Sequence, residues 1–428
     1  MLLCRRRVAR LTVRHMPRPF HHAIICVRDP EIDSRRGWVL AATSMLIVAI
    51  GAGALYLPMA AMTEMAAEFG GRRQVPSLAY TLAYIGAGIG GIGMGWLADR
   101  LGPRGPVMIA AVMICAGAWV AALGEGIFAL FLGYGGMMGL LGHSGTFAPL
   151  VSNLTLWFDK YRGTAVAVLT CGHSLAGTVW PQVYRHLLPA YGWRKSLMIY
   201  GVFAMAAMLA LAFAVRRPRQ TAAPADGATA PPPPALPFPS PVVMTMLCLA
   251  ILGCCMPMAI PVVHMVALCG DLGIAAERGT EAVSLLLFVA LATSLIWGRI
   301  TDRVGGLPTI FVLSSIQAVA IFVMQFIEQL PALYTISAVL GLAFIGTVQS
   351  YAVVLRQLYG DGQGAWRVGL VMSFGLLGMA LGGWAGGAIY DWALSYRPAF
   401  VAGFAFNCLN LFCVGALLLR RPAKPATA

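Results

Sequence analysis

Apolar residues run along this chain in blocks of about twenty, divided by short polar interruptions, from residue 38 to residue 419. Blocks of that length match the ~20 helical residues needed to cross a ~30 Å hydrocarbon layer. Barrel strands would instead alternate apolar and polar positions over ~10 residues, and these blocks do not alternate. The pattern predicts twelve helical spans, at 38–60, 77–97, 105–124, 127–152, 164–187, 195–215, 242–266, 280–298, 307–327, 331–355, 366–389 and 397–419. The expected fold class is therefore an all-α membrane protein of twelve transmembrane helices.

The pattern also repeats. GWLADRLG at 95–102 recurs as GRITDRVG at 298–305, a displacement of 203 residues (298 against 95). The same displacement carries Pro58 onto Pro261, Glu68 onto Asp271 and Gly70 onto Gly273. One six-helix unit has been used twice, and paired halves are how many secondary transporters are built. Between the sixth and seventh spans lies RRPRQTAAPADGATAPPPPALPFPSP, residues 216–241, rich in proline and alanine and expected to stay extended. The predicted organisation is a basic tail (1–36), a first six-helix half (37–215), a linker (216–241), a second half (242–420) and a short tail (421–428).

Composition agrees with lipid as the solvent. Of 428 residues, 59% are hydrophobic and 11% charged, whereas soluble proteins carry about 25% charged residues. A net charge of +14 invites a nucleic-acid reading, but its distribution excludes one. With both termini in the cytoplasm, basic residues such as Arg100, Arg104, Lys160, Arg216, Arg299 and Arg303 crowd the cytoplasmic loops, and the opposite loops hold far fewer. This is the positive-inside bias, so the charge reports topology. Ten cysteines show no C-x-x-C pair or Cys/His metal spacing, so no disulfide framework, metal or cofactor is expected. In the tail, Arg5, Arg6, Arg7, Arg10, Arg14 and Arg18 precede the first acid, Asp29. Organellar presequences share that pattern, but a cytoplasmic tail, or a true start at Met16, is the preferred reading. Arginine far outnumbers lysine, as in GC-rich bacterial genomes, which points to a bacterial inner membrane.

The second span holds glycines at 86, 88, 90, 91, 93 and 95, and the eleventh at 375, 378, 382, 383, 386 and 387. Small residues at every fourth position let helices approach closely in lipid. One such helix per half predicts a low-relief interface along which the halves rock. Ionisable groups at membrane depth are costly and usually functional. Here they are few: His143 on the fourth span and His173 on the fifth. Either touches substrate or takes up a proton, or is a neutral histidine bonded within the bundle. Pro58, and Pro257 with Pro261, are expected to break the first and seventh spans at matching places, a pointer to a midplane site that brings in Tyr56 and His264. Trp180 and Trp384 lie deep enough for cavity walls or for packing, and Gln349 adds a hydrogen-bonding group on the tenth span.

GWLADRLGPRG at 95–105 resembles the cytoplasmic loop signature of the major facilitator superfamily, although Pro103 stands where a basic residue is usual. WFDKYRGTAVAV at 157–168, YGWR at 191–194 and GGAIYD at 386–391 agree with it. The resemblance implies that the fourth helix lines a central cavity and the fifth borders it. It also implies a conformational latch. Asp99 would face the N-terminus of the eleventh helix, Arg100 and Arg104 would complete its charge cluster, and Asp302 with Arg303 would serve the opposite half. PVVHMVALCGDLG at 261–273 resembles the monocarboxylate-transporter-like and oxalate–formate antiporter branch. That branch's charged residues are missing, with Met59, Ala290 and Ser294 in their places, so its mechanism does not carry over.

These features predict an alternating-access carrier of a small organic solute, with an organic anion favoured and protons as a candidate coupling ion, acting as a monomer. An exporter of hydrophobic compounds is the alternative, and a non-transporting receptor or scaffold is the alternative of another class. No metalloprotease, nucleophile-elbow or phosphate-loop motif supports an enzyme.

Overall fold

The computed structural model describes residues 6–8, 26–28, 32–158, 161–217, 236, 238–359 and 365–420. Most of the basic tail, most of the proline-rich linker and the last eight residues lie outside that set. Of the tail, Arg6–Val8 and Cys26–Arg28 pair as a short antiparallel ribbon.

The remainder is helical. Among the described residues, eleven helices are long and apolar enough to cross a membrane. One of them, Arg162–Ala212, is two spans in succession, broken at Gly192, whose φ of 67° is a conformation glycine adopts at little cost. The spans are α1 (Arg35–Ala60), α2 (Gln74–Leu101), α3 (Arg104–Leu123), α4 (126–157), α5 (162–191) and α6 (193–212). They continue as α7 (Ser240–Asp271), α8 (Ala276–Val304), α9 (Gly306–Met324), α10 (Leu330–Tyr359), α11 (Ala365–Ala393) and α12 (Arg397–Leu419). An even number of spans puts the start of α1 and the end of α12 at one end of the bundle, here the terminal end. The opposite end is the far end. The repeat shows in the backbone, since Gly102 and Gly305 close α2 and α8 with φ of 81° and 101°.

The two proline breaks differ. In α1 the helix gives way after Gly51 to a single tight turn, Gly53–Tyr56, followed by Leu57–Ala60. Carbonyls near the break find side-chain donors: Trp180 Nε1 reaches Ala49 O at 2.9 Å, Tyr200 Oη reaches Ile50 O at 2.8 Å, and Tyr184 Oη reaches Gly53 O at 3.1 Å. Carbonyls in an apolar medium must be paired, so these three aromatics let the break exist. In α7 the expectation of a matching break fails: the helix runs through Pro257 and Pro261. Gln317 Nε2 and Asn410 Nδ2 donate to Cys254 O and Ala250 O at 2.9 and 2.7 Å on the turn before Pro257, and brace it.

Two antiparallel pairs join the first six helices to the last six. Along α2 and α11, a Cβ on Gly387 would press on Ser77 and Arg73, one on Gly383 would strike Tyr80 at 2.6 Å, and Thr81 Oγ1 donates to Ala380 O at 2.7 Å. Gly88 would just touch Leu376 at 3.8 Å, and beyond it Gly91, Gly93, Gly95 and Gly369 meet nothing within 4 Å among the described residues. Small residues thus allow backbone contact at the far end, and the pair opens toward the terminal end. Along α5 and α8, Gln182 Nε2 reaches Ser284 Oγ at 2.9 Å, Arg185 pairs with Glu281 at 2.7 Å, and Cys171 Sγ meets Ser294 Oγ at 3.3 Å.

Candidate functional site

The fourth helix is not uniform. Between Phe131 and Ser144 it widens into π-helical turns, Leu132–His143, a geometry found disproportionately at functional sites. Four of the five glycines in this stretch let it lie against α2 and α3, where a Cβ on Gly139 would meet Ala83 O at 2.6 Å and one on Gly133 would meet Gly117 O at 2.5 Å. The widened stretch ends on His143, which is buried and faces His173 of α5 with their Nε2 atoms 3.4 Å apart. A hydrogen bond between two facing ring nitrogens needs one to donate and the other to accept, so the tautomer of one histidine sets that of the other across this long contact. Tyr84 and Phe147 flank the pair at ring distances of 6.1 Å from His143 and 5.2 Å from His173. Tyr56, at the end of the tight turn in α1, donates to His173 O at 3.2 Å. His143 Nδ1 is buried without a hydrogen-bond partner among the described residues. A buried polar atom left open in an aromatic cage is a ready contact for a solute group or a proton.

The other residues singled out in the sequence go elsewhere. His264 lies in the far-end closure rather than beside the histidine pair: its Nε2 donates to Gly383 O at 2.9 Å, which leaves Nδ1 to accept from Tyr396 Oη at 3.2 Å. Trp180 is committed to the α1 break, whereas Trp384 is 40% exposed. Gln349 is half-buried, and its Nε2 has no partner among the described residues. Of the latch residues, Arg100 stacks on Trp96 of its own helix at 3.9 Å, and Arg104 donates to Phe213 O at 2.8 Å within the first six helices. Asp302 and Arg303 are exposed and form no ion pair among the described residues, and the Asp99 side chain lies outside them. Charge therefore bridges the two sets of helices at the far end.

That far-end closure centres on Arg73, which sequence reasoning missed. Its guanidinium grips Asp271 through two 2.6 Å bonds, donates to Tyr396 Oη at 3.1 Å and lies over the Tyr390 ring at 3.9 Å. Burial works against its charge, but the Asp271 and Tyr396 contacts outweigh that and hold its pKa above the ordinary arginine value. Asp391 accepts from the backbone N–H groups of Arg73 and Gln74 at 3.0 and 3.1 Å, so an acid from α11 caps the start of α2. The repeat carries a signal here: residue 276, the position matching Arg73, is alanine, so this contact has no mirror image.

A model of the Major Facilitator Superfamily matches residues 42–270 and again 245–428. The chain belongs to the major facilitator superfamily. It is a multi-pass membrane protein of a transporter family. Among curated relatives, riboflavin transporter RibJ of Trypanosoma brucei brucei is 26% identical over 142 residues, 32% of this chain, and the chain spans about a quarter (26%) of that protein. Monocarboxylate transporter 13 of Bos taurus is 25% identical over 316 residues, 72% of each chain. Among solved structures, an inward-facing, unoccupied bacterial homolog to the human lysosomal transporter Spinster aligns with a TM-score of 0.69 at 14% identity, covering 92% of this superfamily member and 100% of that chain. At that identity the likeness speaks for the fold alone.

Proposed function

We propose that this superfamily member is a secondary carrier that moves a small organic solute by alternating access, and that it stands here closed at the far end and open toward the terminal end. The observation that carries the reading is the α2–α11 pair, which meets at Gly387 against the Arg73 and Gln74 backbone and at Gly383 against the Tyr80 ring, and is parted beyond Gly88 among the described residues. The two six-helix halves, 37–215 and 242–420, are the rocking units, and residues 216–241 tie them together. The positive-inside bias supports a cytoplasmic terminal end, and arginine-rich composition supports a bacterial inner membrane. The protein works as a monomer in this reading.

An organic anion is the favoured solute class, supported by the monocarboxylate transporter relative and by the histidine pair. No described acid or base contacts that pair, so its own protonation is the local source of positive charge for an anion. Tyr56, Gln349 and Trp384 remain candidate wall residues, and Asp99, Arg100, Arg104, Asp302 and Arg303 form the terminal-end latch in this reading, closing in the opposite conformation. The aromatic cage around His143 favours one second reading, an exporter of hydrophobic compounds.

Purified protein in liposomes separates these readings. Uptake of small carboxylates should rise with an inward proton gradient, and the gradient's effect should vanish in His143→Gln while the protein still folds. Gradient-driven uptake that survives His143→Gln removes the pair from coupling. Extrusion of lipophilic dyes with indifference to carboxylates transfers the case to the exporter.

A further inference from the structure

The 203-residue displacement carries Glu68, Trp193 and Arg194 onto Asp271, Tyr396 and Arg397: an acid, an aromatic and an arginine in each half. In the first half the three close on one another. Arg194 pairs with Glu68, and Trp193 Nε1 donates to the same carboxylate at 2.9 Å. In the second half the corresponding acid is taken by the other side of the protein. Asp271 holds Arg73 through two 2.6 Å bonds, and Tyr396 turns its hydroxyl to the same guanidinium. Arg397 is left pointing away, 3.1 Å from Glu328, with both side chains about two-thirds exposed (65% and 69%). Between Asp271 and Arg397 lies a crevice of about 190 Å³ lined by both residues together with Leu268, Gln325, Tyr396 and Phe400. It holds several water-sized groups and so has room for a guanidinium.

We infer that Asp271 changes partner during the transport cycle: Arg73 holds it while the far end is shut, and Arg397 takes it when the far end opens. This rests on the alternating-access reading above. Opening withdraws Arg73 and leaves the part-buried Asp271 carboxylate without its counter-charge, with the Tyr390 hydroxyl at 3.2 Å as its remaining described donor, and removing the charged partner of such a pair is costly. Arg397 stands one crevice away, and among the described residues its guanidinium pairs only with Glu328, in a solvent-exposed contact of the kind that contributes little. The first half shows the geometry that would result, since Glu68 holds the matching arginine in this structure. With a partner in both states, the two conformations remain close enough in free energy to interconvert.

The test follows the separation of fluorophores installed at positions 125 and 329, in the far-end loops, by unnatural amino-acid incorporation, in the full chain in liposomes. Arg397→Ala should cut the far-end-open population about tenfold and slow uptake, while Arg397→Lys retains most of it. In an Asp271→Asn background, Arg397→Ala should add nothing, because the charge it serves has gone. Glu328→Gln should leave the populations unchanged. An Arg397→Ala chain with unaltered populations overturns the exchange, as does an equal shift from Glu328→Gln or a full Arg397→Ala effect on Asp271→Asn. A parent chain that never opens at the far end rejects alternating access itself, and an Arg397→Ala failure in a parent that does open rejects only the exchange.

Discussion

Gly387 is the place where a single methyl group should tilt the transport equilibrium. In the far-end-closed state, a Cβ at this position would lie 2.6 Å from Ser77 Oγ and 3.1 Å from both Arg73 O and Gln74 Cα. Ser77 is fully buried and its hydroxyl is committed to Arg73 O, and the other two contacts are backbone, so a rotamer change at Ser77 would leave the backbone contacts in place. Overpacking of this kind costs typically about 1–3 kcal/mol. All three contacts cross from α11 to α2, so the penalty falls on the closed state and disappears when the helices part. Gly387→Ala should therefore move the balance between far-end-open and far-end-closed states by about 5- to 150-fold toward open, since 1.4 kcal/mol is a factor of ten. Single-molecule fluorescence between positions 125 and 329 reads that balance directly. Gly91→Ala is the control: both changes raise helix propensity by up to about 1 kcal/mol, but a Cβ at Gly91 meets nothing within 4 Å among the described residues in this conformation. Equal shifts from the two substitutions, or none from Gly387→Ala, would refute the claim that backbone contact at Gly387 sets the closed state.

Other expectations can be checked alongside. Trp180→Phe removes the donor to Ala49 O and loosens packing over Gly53, so it should cost about 1–3 kcal/mol and lower the thermal unfolding midpoint in detergent, whereas exposed Trp384→Phe should not. The hydrogen bond from Arg194 holds the Glu68 carboxyl below its ordinary 4.5, with help from Trp193 and against the effect of burial. A depressed folded-state pKa supplies stability above 4.5 that fades as pH falls through the folded value, so Glu68→Gln should flatten that acid-side decline in melting scans. Asp99→Asn and Asp302→Asn should leave expression and the far-end-closed population intact while slowing uptake, and wild-type uptake kinetics in both would dispose of the latch.

Sequence alone settled what depends on solvent and on local chemistry. Blocks of about twenty apolar residues have one low-energy form in lipid, because every backbone N–H and C=O must be paired within its own segment. The twelve spans and their all-α class follow from that constraint, the repeat is read from the recurring motif at 95–102 and 298–305, and the span boundaries shift by only a few residues. Gly102 and Gly305 were readable for the same local reason, since a left-handed turn after a helix favours glycine wherever it occurs. His143 and His173 were visible as costly groups at depth, but their facing Nε2 atoms were not, because helix rotation and the π-helical widening of α4 decide which atoms meet.

What only tertiary structure decided lies where side chains from distant segments compete for one partner. Pro58 and Pro261 match in sequence, yet only α1 breaks, because Trp180, Tyr184 and Tyr200 stand ready to bond its carbonyls. Glu68 and Asp271 match as well, yet one stays within its own half and the other reaches across to Arg73, 198 positions away. Local pattern specifies which groups exist and which helix carries them. Packing of one half on the other decides which of several possible donors each acid receives, and so which end of the protein is shut.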